Sequence, residues 1–155
     1  MIDLFRHTLA TLAYRAGRAL FGAPPKFGEY RADETSRSPA EIVAHMCDLM
    51  DWALSIAEGT ETWHNSEPLP YAQGVNRFFE ALERFDQRVD AGGLSAEMEA
   101  KLFQGPVADA LTHTGQIAML RRMAGHKIAG ENYYVAEIVQ GRIRLGAQAA
   151  PRRVF

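Results

Sequence analysis

Apolar residues recur at helical spacing along almost the whole of this chain, and this periodicity limits its possible folds more than any other feature. Four long stretches carry it, at residues 5–20, about 38–58, about 71–89 and about 106–124. Alternating patterns typical of strands are nearly absent. Connections of about 10 to 20 residues join the long stretches, which allows crossover topology. The sequence therefore predicts an all-α fold built as a four-helix bundle with crossover connections.

Local signals mark where several of these helices begin and end. In "SPAE", Ser38 can cap a helix, Pro39 suits its first position, and Glu41 can complete a capping box. Gly59 then ends this second helix. Two shorter helical pieces are also predicted, one at about residues 95–103 and one of about two turns in "NYYVAEIVQ", residues 132–140, as a short C-terminal helix.

Composition narrows the setting. The chain has 155 residues and a formal charge of −2, which suits a single domain spanning residues 1–155 and argues against nucleic acid as a partner. Its one cysteine, Cys47, excludes an intramolecular disulfide and fits a reducing compartment. No stretch is apolar enough to span a bilayer, and charges interrupt the N-terminus, so we expect a cytoplasmic protein with no membrane partner.

Polar residues stand in an apolar row of the last long helix, "DALTHTGQIAMLRRMAG", residues 109–125. Asp109, His113 and Gln116 share one side of that helix with Leu120 and Met123. The nearly opposite side is also mostly apolar, so we expect a central helix with two buried sides. A buried carboxylate or imidazole is costly unless it is paired, hydrogen-bonded or bound to metal.

A possible partner lies on the second helix. There, His45 shares the apolar side with Ile42 and Leu49, so two helices direct His45, Asp109 and His113 inward. Such nitrogen and oxygen ligands suit a divalent transition metal, and three protein ligands leave positions open for water or substrate. The alternative is a set of ordinary hydrogen bonds, because an inward histidine and an Asp and His pair four residues apart are common without a metal.

Three stretches together resemble the DinB-like superfamily of metalloenzymes, which includes YfiT-type proteins and the bacillithiol- and mycothiol-dependent transferases. They are "SPAEIVAHMCDLMDW", "ADALTHTGQIAMLRRMAG" and "GENYYVAEIVQGRI", and they occur in the family's order from about Ser38 to the C-terminus. The resemblance implies a crossover four-helix bundle, commonly dimeric, that binds a metal near one end through three histidines.

Two of the three family histidines have counterparts here. His45 matches the one on the second helix, and His113 matches the one nearest the "GQ" of the late helix. Asp109 stands where the family has its other histidine, so the implied metal ligands are two histidines and one carboxylate. Gln116 and Arg121 also match recurrent family positions, which we interpret as supporting rather than catalytic.

The resemblance implies a metal-dependent enzyme, with thiol S-transfer or hydrolysis as candidate reactions and zinc, nickel, iron or manganese as candidate metals. Its partners would be a small-molecule substrate, such as a low-molecular-weight thiol, and a second copy of the chain in a homodimer. The alternative function is a non-catalytic metal-binding or stress-associated dimeric bundle protein. A third possibility is a structural dimer in which the polar groups only form hydrogen bonds.

Overall fold

The computed structural model describes residues 2–155, and most of them lie in helices. The α-helices are α1 (Leu4–Leu20), α2 (Pro39–Ala57), α3 (Tyr71–Asp90), α4 (Ala96–Leu102) and α5 (Ala108–Met123). Residues 2–155 contain no strand, only one isolated bridge between Glu131 and Val154. The prediction of an all-α fold with four long helices is confirmed, as is the short helical piece now seen as α4.

The four long helices pack around one apolar core. Helix α2 packs against α3 and α5, and α1 packs against the same two helices, while α1 and α2 share little contact. The connection between Leu20 and Pro39 therefore joins two helices that are not neighbours. Large side chains from all four helices fill the core with almost no exposure, among them Leu9, Leu12, Met46, Met50, Phe78, Leu82, Phe85 and Ile117.

The predicted capping box opens α2. The Ser38 side chain accepts from the Glu41 N–H at 3.3 Å, and the Glu41 carboxylate accepts from the Ser38 N–H at 2.7 Å. Arg31 adds a second anchor, since its guanidinium donates to Glu41 at 2.7 Å. These contacts satisfy free N–H groups of the first turn and fix the chain where it enters the helix.

A π turn, Phe103–Val107, joins α4 to α5. Pro106 lies inside this turn, where it lacks an N–H and its ring would clash with the carbonyl four residues earlier in a regular α-helix. The wider π turn relieves that clash, so Gly105 and Pro106 redirect the helix rather than interrupt it. Such turns are frequent at functional sites, and Asp109 is the second residue after this one.

The predicted C-terminal helix over residues 132–140 is wrong. Only the three residues Tyr133–Val135 are helical, as a single 3-10 turn. This segment instead pairs with the tail, because Gly130 and Phe155 exchange two backbone hydrogen bonds of 3.0 Å. Its tyrosines and β-branched residues favour helix only weakly, so these contacts with the rest of the chain decide its conformation.

Glu131 fastens the same segment to α1. Its carboxylate is fully buried, accepts a hydrogen bond from the Tyr14 hydroxyl and lies 3.1 Å from the Arg18 guanidinium. Burial, together with the hydrogen bond to Glu131, raises the pKa of Tyr14 to about 12. The buried carboxylate is thus matched by a cation and a donor, as a buried charge requires.

None of the described helices combines the length and the apolar composition needed to cross a membrane.

The capping box gives a pH-dependent contribution to stability. The Arg31 hydrogen bond, followed by the Ser38 N–H, lowers the pKa of Glu41 below its ordinary value. A carboxyl group whose pKa is lower in the folded state than in the unfolded state stabilises the fold at pH values above its unfolded pKa. This contribution is lost as the pH falls through the folded pKa. We therefore expect Glu41→Gln to lower the melting temperature at neutral pH. In acid, the melting temperature of the variant should approach that of the parent.

Circular dichroism melts of parent and variant across the acid range measure this difference. Ser38→Ala is the control, because it removes a cap that carries no charge and should destabilise by about 1 kcal/mol at every pH. If the melting temperature of Glu41→Gln stays below that of the parent by the same amount from neutral to acid pH, the stabilising role of the Glu41 carboxylate is contradicted.

Candidate metal centre

The structure brings His45, Asp109 and His113 together at the junction of α2 and α5. The Asp109 carboxylate contacts both imidazoles, with Oδ2 3.2 Å from His45 Nε2 and Oδ1 3.4 Å from His113 Nε2, and the two rings pack edge-on with their centroids 4.8 Å apart. One ligand atom from each residue lies within 4.8 Å of the other two. The three candidate ligands predicted from the sequence therefore form one cluster.

The cluster lies at the edge of the helical packing rather than in the centre of the core. The side-chain exposure is 11% for His113, 24% for His45 and 45% for Asp109. Farther along α5 the predicted stripe is buried at Leu120 but exposed at Gln116 and Met123. The expectation that this side is buried along its whole length is therefore wrong, and the polar end of the stripe opens to solvent.

Gln116 orients the His113 ring. Its side-chain oxygen lies 2.7 Å from His113 Nδ1, one helical turn away on α5. With Nδ1 donating its proton to this oxygen, Nε2 keeps a free lone pair directed at the cluster. Hydrogen bonds of this kind fix the tautomer and orientation of imidazoles that bind metals. The supporting role predicted for Gln116 agrees with this contact.

Trp63 packs edge-on against the His45 ring, a contact that the sequence patterns did not predict. The two ring centroids are 5.7 Å apart, and Trp63 also packs edge-on against Trp52 at 5.7 Å. Trp63 lies in the connector between α2 and α3, which carries no helical periodicity. A tryptophan in an otherwise polar connector is the one signal that indicated a packing role there.

A buried carboxylate on α2 holds this connector in place. Asp48, only 3% exposed, accepts from the Ser66 hydroxyl at 2.6 Å and from the Ser66 N–H at 2.8 Å. Arg77 of α3 balances its charge at 3.3 Å. Because Ser66 is fixed three residues after Trp63, the tryptophan is held over the cluster.

Two grooves meet the cluster from different sides. One, of about 490 Å³, reaches His113 and is lined by Ser36, Arg37, Ile42, His113, Gln116, Met119 and Leu120. The other, of about 430 Å³, reaches Asp109 and is lined by Leu49, Trp52, Gln104, Gly105, Ala108, Asp109 and Thr112. The cluster is therefore accessible to small molecules, as a catalytic or binding site must be.

The three side chains are a candidate set of ligands for a small divalent cation. Ligand bonds of about 2.0–2.2 Å in a tetrahedral site place neighbouring donor atoms about 3.4 Å apart. His45 Nε2 and His113 Nε2 lie 3.2 Å and 3.4 Å from different oxygens of Asp109, and one donor atom of each side chain lies within 4.8 Å of the other two. Two imidazoles and a carboxylate are ligands that zinc, nickel, iron and manganese accept. The cluster could therefore hold a metal ion with three protein ligands.

Two other residues singled out in the sequence lie apart from this chemistry. Burial raises the pKa of the Cys47 thiol to about 12, so it stays protonated and packs as a small core side chain. Arg121 is buried and donates to the Ala19 and Phe21 carbonyls at 3.1 Å and 2.7 Å. It thus satisfies carbonyls at the end of α1, which is a structural role.

Comparisons of the chain with models of protein families, with curated proteins and with solved structures find no match.

The contact between Gln116 and His113 predicts an effect on metal affinity. Gln116→Leu removes the acceptor of the Nδ1 proton, and we expect it to weaken binding of zinc by about tenfold to a hundredfold. Isothermal titration calorimetry on refolded, metal-free protein measures the change. The matched control is Gln104→Leu, an exposed position beside Asp109 with no contact to either imidazole. Equal affinities for the two variants would show that Gln116 does not orient a ligand.

Proposed function

We propose that this protein is a metal-dependent enzyme of the DinB-like type, with a divalent transition metal ion held by His45, Asp109 and His113. The observation that carries the proposal is the convergence of three donor side chains from two helices at one point between two grooves. The resemblance of the three sequence stretches supports the family, and the replacement of one family histidine by Asp109 is compatible with ligation.

The candidate reactions are thiol S-transfer and hydrolysis. A divalent ion in such a site supplies Lewis acidity and lowers the pKa of a thiol or water bound to it. The chain's own side chains have the remaining tasks. His45, Asp109 and His113 would hold the ion, Gln116 orients the His113 ring through its contact with Nδ1, and Trp63 packs edge-on against the His45 ring.

A hydrogen-bonded cluster without a metal is the competing proposal, because the 3.2 Å contact of His45 with Asp109 is already a possible hydrogen bond. It corresponds to a structural dimer in which these polar groups only form hydrogen bonds, whereas a stress-associated bundle protein could bind a metal without catalysis. The homodimer implied by the resemblance stays a prediction. Tyr134, which is 97% exposed, is available for such an interface, whereas Tyr133 packs against Tyr14.

Removal of one imidazole distinguishes these proposals. His113→Ala removes one of three protein ligands, so we expect metal affinity to fall more than about a hundredfold. The far-ultraviolet dichroism should match the parent, because the core stripes are untouched. Elemental analysis after loading with zinc, nickel, iron or manganese near neutral pH gives the metal content. His126→Ala, outside the cluster, is the matched control and should retain the parent's metal.

The carboxylate is tested in the same way. Asp109→Ala should lose metal to a similar extent if the carboxylate binds the ion, whereas an unchanged metal content would assign Asp109 to hydrogen bonding alone. A parent protein that takes up no ion in stoichiometric amount, or a His113→Ala variant that binds as much as the parent, would refute the metal site. Assays of thiol transfer and of hydrolysis on metal-loaded protein then separate the enzyme from a metal-binding protein without activity.

A further inference from the structure

The groove that reaches His113 combines an apolar wall with a single cationic side chain. Its walls include Ile42 and Leu120, which are 3% and 8% exposed, and the half-exposed Met119. Arg37 is the only lysine, arginine, aspartate or glutamate of the lining. We call this space, of about 490 Å³, the Arg37 groove. Its size is within the range of sites that hold small organic ligands.

The Arg37 guanidinium has no partner of its own in the part of the chain that the structure describes. Nearby Arg31 is bound to Glu41 at 2.7 Å and to the Ser36 carbonyl, whereas no carboxylate of residues 2–155 forms a salt bridge with Arg37. An unpaired guanidinium keeps its planar set of donors free for a carboxylate, sulfonate or phosphate group.

The backbone that carries Arg37 is fixed on both sides. Before it, the Ser36 N–H donates to Asp33 Oδ1 at 2.9 Å, and after it, the Ser38 N–H donates to Glu41 at 2.7 Å. The cation therefore extends from a rigid base at the rim of the groove. Because the backbone is already fixed there, only the Arg37 side chain has to be ordered when a ligand binds.

Gln116 can supply a second polar contact in the same groove. Its side-chain oxygen is engaged by His113, but its amide nitrogen makes no hydrogen bond within residues 2–155. That N–H group is free to donate to an oxygen atom of a ligand lying between Arg37 and His113. Apolar walls with a few convergent polar groups are typical of small-molecule sites.

We propose that the Arg37 groove binds a small organic anion with an apolar body. Arg37 pairs with the anionic group, while Ile42, Met119 and Leu120 pack against the apolar body, which leaves its far end beside His113. One cation in an apolar groove fits one negative charge and not a polyanion. The inference rests on the proposed function in one respect, because it names the substrate class of that metal-dependent site.

A pair of fluorescent probes tests the groove in metal-free protein kept in chelator. Anilinonaphthalene sulfonate has an apolar body and one negative charge, and phenylnaphthylamine has nearly the same body without the charge. We expect saturable binding of the anionic probe, weakened about tenfold in Arg37→Ala. The affinity of the uncharged probe should be unchanged. The matched control is Arg122→Ala, an exposed arginine of α5 that lines a different groove and should leave both affinities unchanged.

A second pair of variants locates the bound probe. Met119→Glu places a negative charge on the wall of the groove at a side chain that is 58% exposed, so the fold should tolerate it. Met119→Glu should strongly weaken binding of the anionic probe. Met123→Glu, at a side chain one turn farther on and 52% exposed, should not change this binding. Far-ultraviolet dichroism verifies that all four variants keep the parent's helicity.

The outcomes separate this inference from the metal site. If Arg37→Ala loses affinity for the anionic probe but keeps its affinity for zinc, the proposal that the Arg37 groove binds anions is supported. An anionic probe that does not saturate, or that binds Arg37→Ala and Met119→Glu as tightly as the parent, overturns the groove whether or not the protein binds metal. If the protein takes up no metal but binds the anionic probe through Arg37, the anion-binding groove is supported and the proposed metal-dependent enzyme is refuted.

Discussion

Burial of helix α2 between α3 and α5 is the interaction on which the rest of this structure depends. Val43, Met46 and Met50 have no exposed surface, and α2 packs against both neighbouring helices. Each such side chain contributes about 1.5–3 kcal/mol when it leaves water, so this packing sets the position and rotation of α2. The direction of the His45 side chain follows from that rotation, because His45 lies between Ile42 and Leu49 on the side of α2 that faces α5.

Two further parts of the site are fastened to the same helix. At the N-terminus of α2, the capping box fixes the backbone next to Arg37. In its middle, the buried Asp48 binds Ser66 and thereby holds Trp63 over His45. A buried carboxylate costs free energy unless it is paired, and here Arg77 and the two Ser66 donors offset that cost. One helix thus positions a candidate ligand, its aromatic cover and the cation of the neighbouring groove.

Sequence reasoning succeeded where the information is local. Helical spacing predicted that Asp109 and His113 share one side of α5, and the stripe around His45 predicted its direction. The capping box of Ser38 and Glu41 could also be read directly. By contrast, the contact of Glu131 with Tyr14 joins residues 117 positions apart, and no periodic pattern encodes it. This contact, with the pairing of Gly130 and Phe155, is why the predicted C-terminal helix is absent.

The same limit explains what was missed at the site. Trp63 and Arg37 lie in connectors, where spacing predicts neither direction nor neighbours. Their positions depend on contacts such as the hydrogen bond of Ser66 with Asp48, which joins residues 18 positions apart and follows from no periodic pattern. The π turn was equally hidden, since Gly105 and Pro106 in sequence indicate a helix start and not a continuous, widened helix.

The convergence of His45, Asp109 and His113 is difficult to attribute to stability alone. Asp109 is 45% exposed, and ion pairs or hydrogen bonds at such solvated positions contribute about 0–1 kcal/mol. The apolar core, by comparison, contributes through many fully buried side chains from four helices. A fold secured in this way gains little from two imidazoles placed around one carboxylate at its edge. Their arrangement beside two grooves is therefore the feature of this structure that the proposed metal site would account for.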